Sequence, residues 1–173
     1  MKKYLKNNLL AGYRGSPLNN AKISLTLLAL FPLIALPVGT FGNLFSFQLL
    51  DAQTACIAIF ALFLFPALLE ESFFRGLLVP IKTRENGKKA IFLFTLLSAS
   101  LFTLWHPLNA LTINPGAQAL FCDPYFLCIV FCLGIACSLS YIFSRSLWVP
   151  IIIHWLTVVV WVIFLGGRNL LLQ

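Results

Sequence analysis

Residues 68–78 read LLEESFFRGLL. Two adjacent carboxylates, Glu70 and Glu71, and one guanidinium, Arg75, interrupt an otherwise apolar run, with ACIAIFALFLFPA upstream and Leu77, Leu78 and Val79 downstream. An ionisable side chain at the centre of a membrane-spanning helix costs about 2.5–3.5 kcal/mol on insertion scales. Three of them within a turn and a half must be paired, face a bundle interior or line a wet cavity. On a helix, Glu71 and Arg75 are four residues apart, share a face and can form a salt bridge. Glu70 lies about 140° around the axis from Arg75, which makes it the less neutralised carboxylate. These residues alone also fit a structural ion pair beside one glutamate that snorkels to the interface.

The rest of the chain supports the membrane setting. Of its 173 residues 60% are hydrophobic and 10% charged, and the mean hydropathy is +0.94. Soluble domains are typically about half apolar and a quarter charged. The composition predicts an all-α, polytopic membrane helix bundle. About five transmembrane helices fit, near 23–49, 54–80, 90–112, 118–143 and 147–166, each close to the roughly 20 apolar residues a span requires. Pro32, Pro37, Gly39 and Gly42 predict that the first is kinked or ends early. Residues 1–22 read as a basic cytoplasmic segment and 23–173 as one transmembrane helical domain. No short apolar region with a cleavage site promptly follows the basic start, so it does not read as a signal peptide.

The net charge of +7 could suggest nucleic acid, but the cations sit at the edges of apolar runs. There they act as topology signals and meet anionic headgroups, so the lipid bilayer is the expected partner and nucleic acid is not. Lys2, Lys3, Lys6, Arg14 and Lys22 precede the first span, Lys82, Arg84, Lys88 and Lys89 follow the second, and Arg145 precedes the fifth. The alternate flanks carry Asp51 and Asp123, with no Lys or Arg until Arg168. These counts predict an integral multi-pass protein of a plasma or inner membrane, with its N-terminus cytoplasmic and its C-terminus outside. The five cysteines, Cys56, Cys122, Cys128, Cys132 and Cys137, show no CxxC or Cys/His zinc spacing and read as small packing residues.

Both histidines fall within apolar runs: His106 in LFTLWHPLNA, one turn after Phe102, and His154 in LWVPIIIHWLTVVVW. With Glu70 they supply a general base and two imidazoles, enough to activate water and stabilise an oxyanion. Two histidines and a glutamate are also a known catalytic zinc set, here Glu70, His106 and His154. An H-E-x-x-H motif is lacking and the three would come from separate helices, so no cofactor is expected and zinc is the minor alternative.

Glu70-Glu71-Ser72-Phe73-Phe74-Arg75-Gly76, then Phe102-x-x-x-His106, then SRSLWVPIIIH ending at His154, together resemble the CPBP family of intramembrane endopeptidases, which includes the type II CAAX prenyl endopeptidases. The resemblance spans about residues 54–160. It implies a glutamate-dependent protease in which Glu70 is the general base on a water held with His106. His154 would donate to the oxyanion, while Glu71 and Arg75 would orient the site. At the position of a second oxyanion donor, four residues after the last histidine, the family usually has asparagine; here it is Val158. Asn109, three residues after His106, is the candidate substitute. The substrate implied is a peptide or membrane protein that is membrane-associated or lipidated.

Two other functions fit the same residues. One is a non-catalytic scaffold of the same fold, resembling bacteriocin-immunity membrane proteins, which Val158 favours. The other is a small proton-coupled transporter with Glu70 and the histidines as a relay, although the paired, interrupted half-repeats of such carriers are not seen. Counting residues from the basic flanks predicts a cavity that faces the cytoplasm.

Overall fold

A computed structural model describes residues 2–167. Six helices account for most of it: α1 (Lys2–Arg14), α2 (Ala21–Phe41), α3 (Ala52–Leu77), α4 (Lys88–Thr112), α5 (Pro124–Ser144) and α6 (Trp148–Phe164). Short helical turns at Thr83–Asn86 and Gln118–Phe121 lie in the connections. The described residues form no sheet, only an isolated bridge between Gln48 and Leu165. Four helices, α2 to α5, are long and apolar enough to cross a membrane. The fifth apolar helix, α6, has 17 residues, or about 26 Å at 1.5 Å per residue, the lower limit for a span. The protein is therefore a polytopic helical bundle, as its composition predicts. Arg168, which belongs to the topology argument, lies outside the described residues.

The sequence sets where each helix starts. Asp51 caps α3 by accepting a hydrogen bond from Thr54 N at 2.9 Å. Asp123 caps α5 by accepting from Tyr125 N and Phe126 N at 2.8 and 2.9 Å, with Pro124 at the first helical position. This cap corrects the fourth span: expected from 118, it begins at Pro124, because Asp123-Pro124 starts a new helix after the short turn. The first span, expected to reach 49, ends at Phe41, where Gly42 and the left-handed Asn43 (φ 52°) turn the chain. The second, expected as one helix to residue 80, ends at Leu77 and is broken at Phe65. Pro66 lacks an N–H and excludes its predecessor from the helical region, and Phe65 has φ −133° and ψ 113°. The break re-aims the lower half of α3, which carries Glu70, Glu71 and Arg75.

Helix α5 is the central post, packed against α2, α4 and α6. Its small residues, among them Gly134, Ala136, Ser138 and Ser140, are buried and let neighbours approach closely. The Gly134 backbone meets α4 so tightly that a Cβ there would lie 3.0 Å from Ala99 Cα. One apolar cluster surrounds Phe74, Phe102, Phe126, Leu133 and Ile153 in mid-bundle. A second, with Val79, Tyr141, Ile142, Leu147 and Ile151, lies nearer the basic end.

That basic end is tightly organised. Glu85 of the α3–α4 connection pairs with Arg145 at 2.8 Å, and Leu147 N donates to Gly12 O at 2.9 Å. Within residues 1–22, expected only as a basic segment, α1 is a helix docked on the bundle.

Candidate active site

The charged and imidazole groups of the sequence motifs come from three pieces of this scaffold. Glu70, Glu71 and Arg75 come from α3 below its break, His106 from α4 and His154 from α6. Glu71 and Arg75 form the i, i+4 pair expected, at 2.9 Å, and both side chains are wholly buried. The other arm of Arg75 donates to Gly134 O at 3.0 Å, and its guanidinium lies 4.6 Å above the Phe102 ring. The charge of this buried cation is matched by Glu71, while its Nε has no hydrogen-bond partner among the described residues.

Glu71 also meets His154, whose Nδ1 is 2.9 Å from Glu71 Oε1. An ionised carboxylate only accepts, so Nδ1 carries the proton and Nε2 is left for other partners. His106 is fixed by the same logic. Its Nδ1 lies 3.0 Å from Phe102 O, and a carbonyl only accepts, so Nδ1–H donates and Nε2 of the neutral ring presents a lone pair. Phe102, fully buried, packs edge-on against both imidazoles, with ring centres 5.1 Å from His106 and 5.5 Å from His154. Phe121 and Phe126 brace His106 from its other sides.

Glu70 is held differently. Trp105 Nε1 donates to its Oε1 at 3.2 Å, while the buried Oε2 has no hydrogen-bond partner among the described residues. Sequence reasoning missed Trp105, though it adjoins His106, because nothing local says that an indole one helix away reaches the glutamate. Gly134 was missed for a similar reason: it contributes a backbone carbonyl, which no residue type advertises.

Glu70, His106 and His154 line one cavity of about 540 Å³. Asn109 and Val158 line it too, together with Phe102 and Trp105, whereas Glu71 and Arg75 stand behind its wall. The Thr157 hydroxyl, also at the wall, is committed to Ile153 O at 2.8 Å. Much of the remaining lining is apolar and comes from α2, including Leu28, Phe31 and Pro32. The lining reaches Leu44, Ile113, Phe121 and Leu165, all at the end that bears Asp51 and Asp123. No residue of the α3–α4 connection or of the α5–α6 corner takes part. The expectation of a cavity facing the basic, predicted cytoplasmic side is thereby corrected. Residue counts from the flanks give depth, but they carry no information on which end is plugged. Here the docked α1 and the Glu85–Arg145 pair close the basic end.

The three zinc candidates do not form a metal-holding set. Among the described residues no group of three or more His, Cys, Asp or Glu side chains comes together as one.

Comparison with family models matches residues 52–160 to the family described as type II CAAX prenyl endopeptidase Rce1-like. The match takes in α3, α4, α5 and α6 as far as residue 160, and with them every motif residue from Glu70 to Val158. A membrane helix bundle with this match defines the class of CAAX-type intramembrane endopeptidases. The chain belongs to the Rce1-like family of type II CAAX prenyl endopeptidases. Comparison with curated proteins and with solved structures finds no match.

Proposed function

We propose that the chain hydrolyses a peptide bond in a membrane-associated or lipidated substrate, with Glu70 as general base. The observation that carries this reading is Glu70 Oε2: a buried carboxylate oxygen without a protein partner, on a residue lining the same cavity as both histidines. A water there donates one hydrogen to Glu70 and the other to the lone pair on His106 Nε2, leaving its own lone pair for the substrate carbonyl. As the oxygen–carbon bond forms, Glu70 takes the proton, and the carbonyl π pair moves to the oxygen. Glu70 then passes that proton to the leaving amine as the carbon–nitrogen bond breaks.

The developing oxyanion requires a donor. His154 supplies Nε2–H only as the imidazolium, since its Nδ1–H already serves Glu71. Asn109 offers a neutral amide to the same cavity, and Val158 offers nothing. Arg75 and Glu71 act through position: Arg75 holds Glu71, and Glu71 holds His154. Catalysis is proposed to need no metal, and the N-terminus is proposed to be cytoplasmic in a plasma or inner membrane.

The deciding experiment is cleavage of a panel of labelled peptides, prenylated and unmodified, by purified protein with Glu70→Gln as control. Turnover by the wild type alone supports the reading. Turnover retained by Glu70→Gln removes Glu70 from the chemistry. Val158 favours a second reading, a binding scaffold of the same fold, which predicts peptide binding with no cleavage by either protein.

A further inference from the structure

Helix α1 lies outside the family-matched segment, and its two faces differ in kind. Leu5, Asn8, Leu9, Gly12 and Tyr13 are at least partly buried, at the i, i+3, i+4 spacing of one helix stripe. Asn8 is 4% exposed and uses its whole side chain. Its Nδ2 donates to Gly76 O at 2.7 Å and to Val79 O at 2.9 Å, and its Oδ1 accepts from Ile81 N at 2.7 Å. These carbonyls end α3, where a helix has no partners of its own to offer them. Farther along, the Tyr13 hydroxyl hydrogen-bonds Ser72, the residue after Glu71. Trp148, the first residue of α6, donates its indole N–H to Tyr13 O at 3.0 Å. One helix therefore clamps the end of α3 that carries the glutamates to the start of the helix that carries His154.

The opposite face exposes Lys3, Lys6, Asn7, Leu10 and Arg14. A crevice of about 500 Å³ opens beside it, with Arg14, Asn19 and Arg145 in its walls and Leu10 at its edge. Arg145 spends one nitrogen on Glu85, and no carboxylate pairs with Arg14 among the described residues. Lys22, Lys82, Lys88 and Lys89 belong to the same end of the bundle, just beyond the apolar spans. Cations mixed with an exposed leucine at that level match a lipid headgroup layer, where each Lys or Arg near an anionic surface is worth about 1 kcal/mol.

We infer that the crevice takes the phosphate of an anionic lipid headgroup through Arg14 and Arg145, and that the bound lipid tightens the grip of α1 on α3 and α6. The binding half stands on the crevice and its charges. The regulatory half, a faster reaction in anionic membranes, rests on the endopeptidase reading.

The test uses the full chain in nanodiscs of phosphatidylcholine alone, of phosphatidylcholine with phosphatidylglycerol, and of phosphatidylcholine with inorganic phosphate in solution. Hydrogen exchange of the amides of residues 5–14 and the peptide-cleavage rate are read on the same samples. Phosphatidylglycerol is expected to slow exchange about fivefold, the factor for one cation near an anionic surface. Free phosphate is expected not to, and Arg14→Gln to lose the lipid response. Equal exchange in the two lipids, or an Arg14→Gln protein that responds as the wild type does, overturns the inference. Protection by free phosphate alone overturns the lipid as occupant. An exchange response without cleavage in any lipid supports the binding site and removes the endopeptidase reading instead.

Discussion

Glu70 and Glu71 are neighbours in sequence with opposite expected responses to the same substitution. Glu70→Gln is nearly isosteric, and it leaves the Trp105 bond an acceptor, so fold is expected to survive and peptide cleavage to vanish. Glu71→Gln strips the anion from Arg75 and His154 together. Breaking a wholly buried pair costs about 3–5 kcal/mol, so a marked drop in thermal midpoint in detergent is expected. Thermal melts and cleavage rates of both variants check this division, and equal residual activity would sink it. The oxyanion side yields a second pair. Val158→Asn is expected to raise the rate about tenfold if it recovers about 1.4 kcal/mol of transition-state stabilisation. If Asn109 already serves, Val158→Asn does little and Asn109→Ala loses about a hundredfold or more, as loss of one oxyanion donor does. At this scale the sequence discloses what lies within one turn: the Glu71–Arg75 pair and the relative freedom of Glu70 follow from helix geometry alone. The Trp105–Glu70 and His154–Glu71 bonds join residues 35 and 83 apart in sequence. Only tertiary packing brings those groups together.

Among the elements, α4 and α5 show how narrowly the site is positioned. Gly134 lets the α4 backbone come close, and a Cβ there would also meet Phe102 at 3.4 Å. Gly134→Val is therefore expected to push α4 outward and cost about 1–3 kcal/mol, the range for overpacking a tight core. Because Phe102 touches both imidazoles, cleavage should fall further than stability, read as kcat against the melting midpoint in the same detergent. Pro66, Asp51, Asp123 and Gly42 are visible signals, yet only Gly42, with Gly39 and the two α2 prolines, entered the sequence reading as an interruption. A window of 20 apolar residues smooths over a break such as Phe65-Pro66, because hydropathy sums composition and is blind to a single backbone dihedral. Helix α1 escaped for the opposite reason: its charges made it look only like a basic cytoplasmic segment, while on its other face Asn8 and Gly12 meet protein.

For the whole molecule, composition and the basic flanks were enough to give a helical membrane bundle with all cations but the buried Arg75 and Arg168 assigned to one end. The cavity's direction was not legible, since it depends on which connections fold back over the bundle. Single cysteines at 87 and at 116, in a cysteine-free background, are expected to label from opposite sides of sealed vesicles, with 87 on the cytoplasmic side. Labelling of both from one side would remove the five-span topology. Peptide cleavage is expected to persist in chelator, with zinc far below one equivalent per chain by elemental analysis; metal and activity lost together would reverse the assignment of Glu70, His106 and His154.

The Trp105 indole, donating its N–H to Glu70, gives the protein a built-in optical reporter. Indole emission responds to the charge and polarity at its nitrogen, and the chain has only four tryptophans. With Trp148, Trp155 and Trp161 replaced by phenylalanine, the remaining emission comes from one ring touching one carboxylate. A peptide entering the cavity then changes colour and intensity before any bond is cut, so substrates too slow to give measurable product can still be ranked by fluorescence titration.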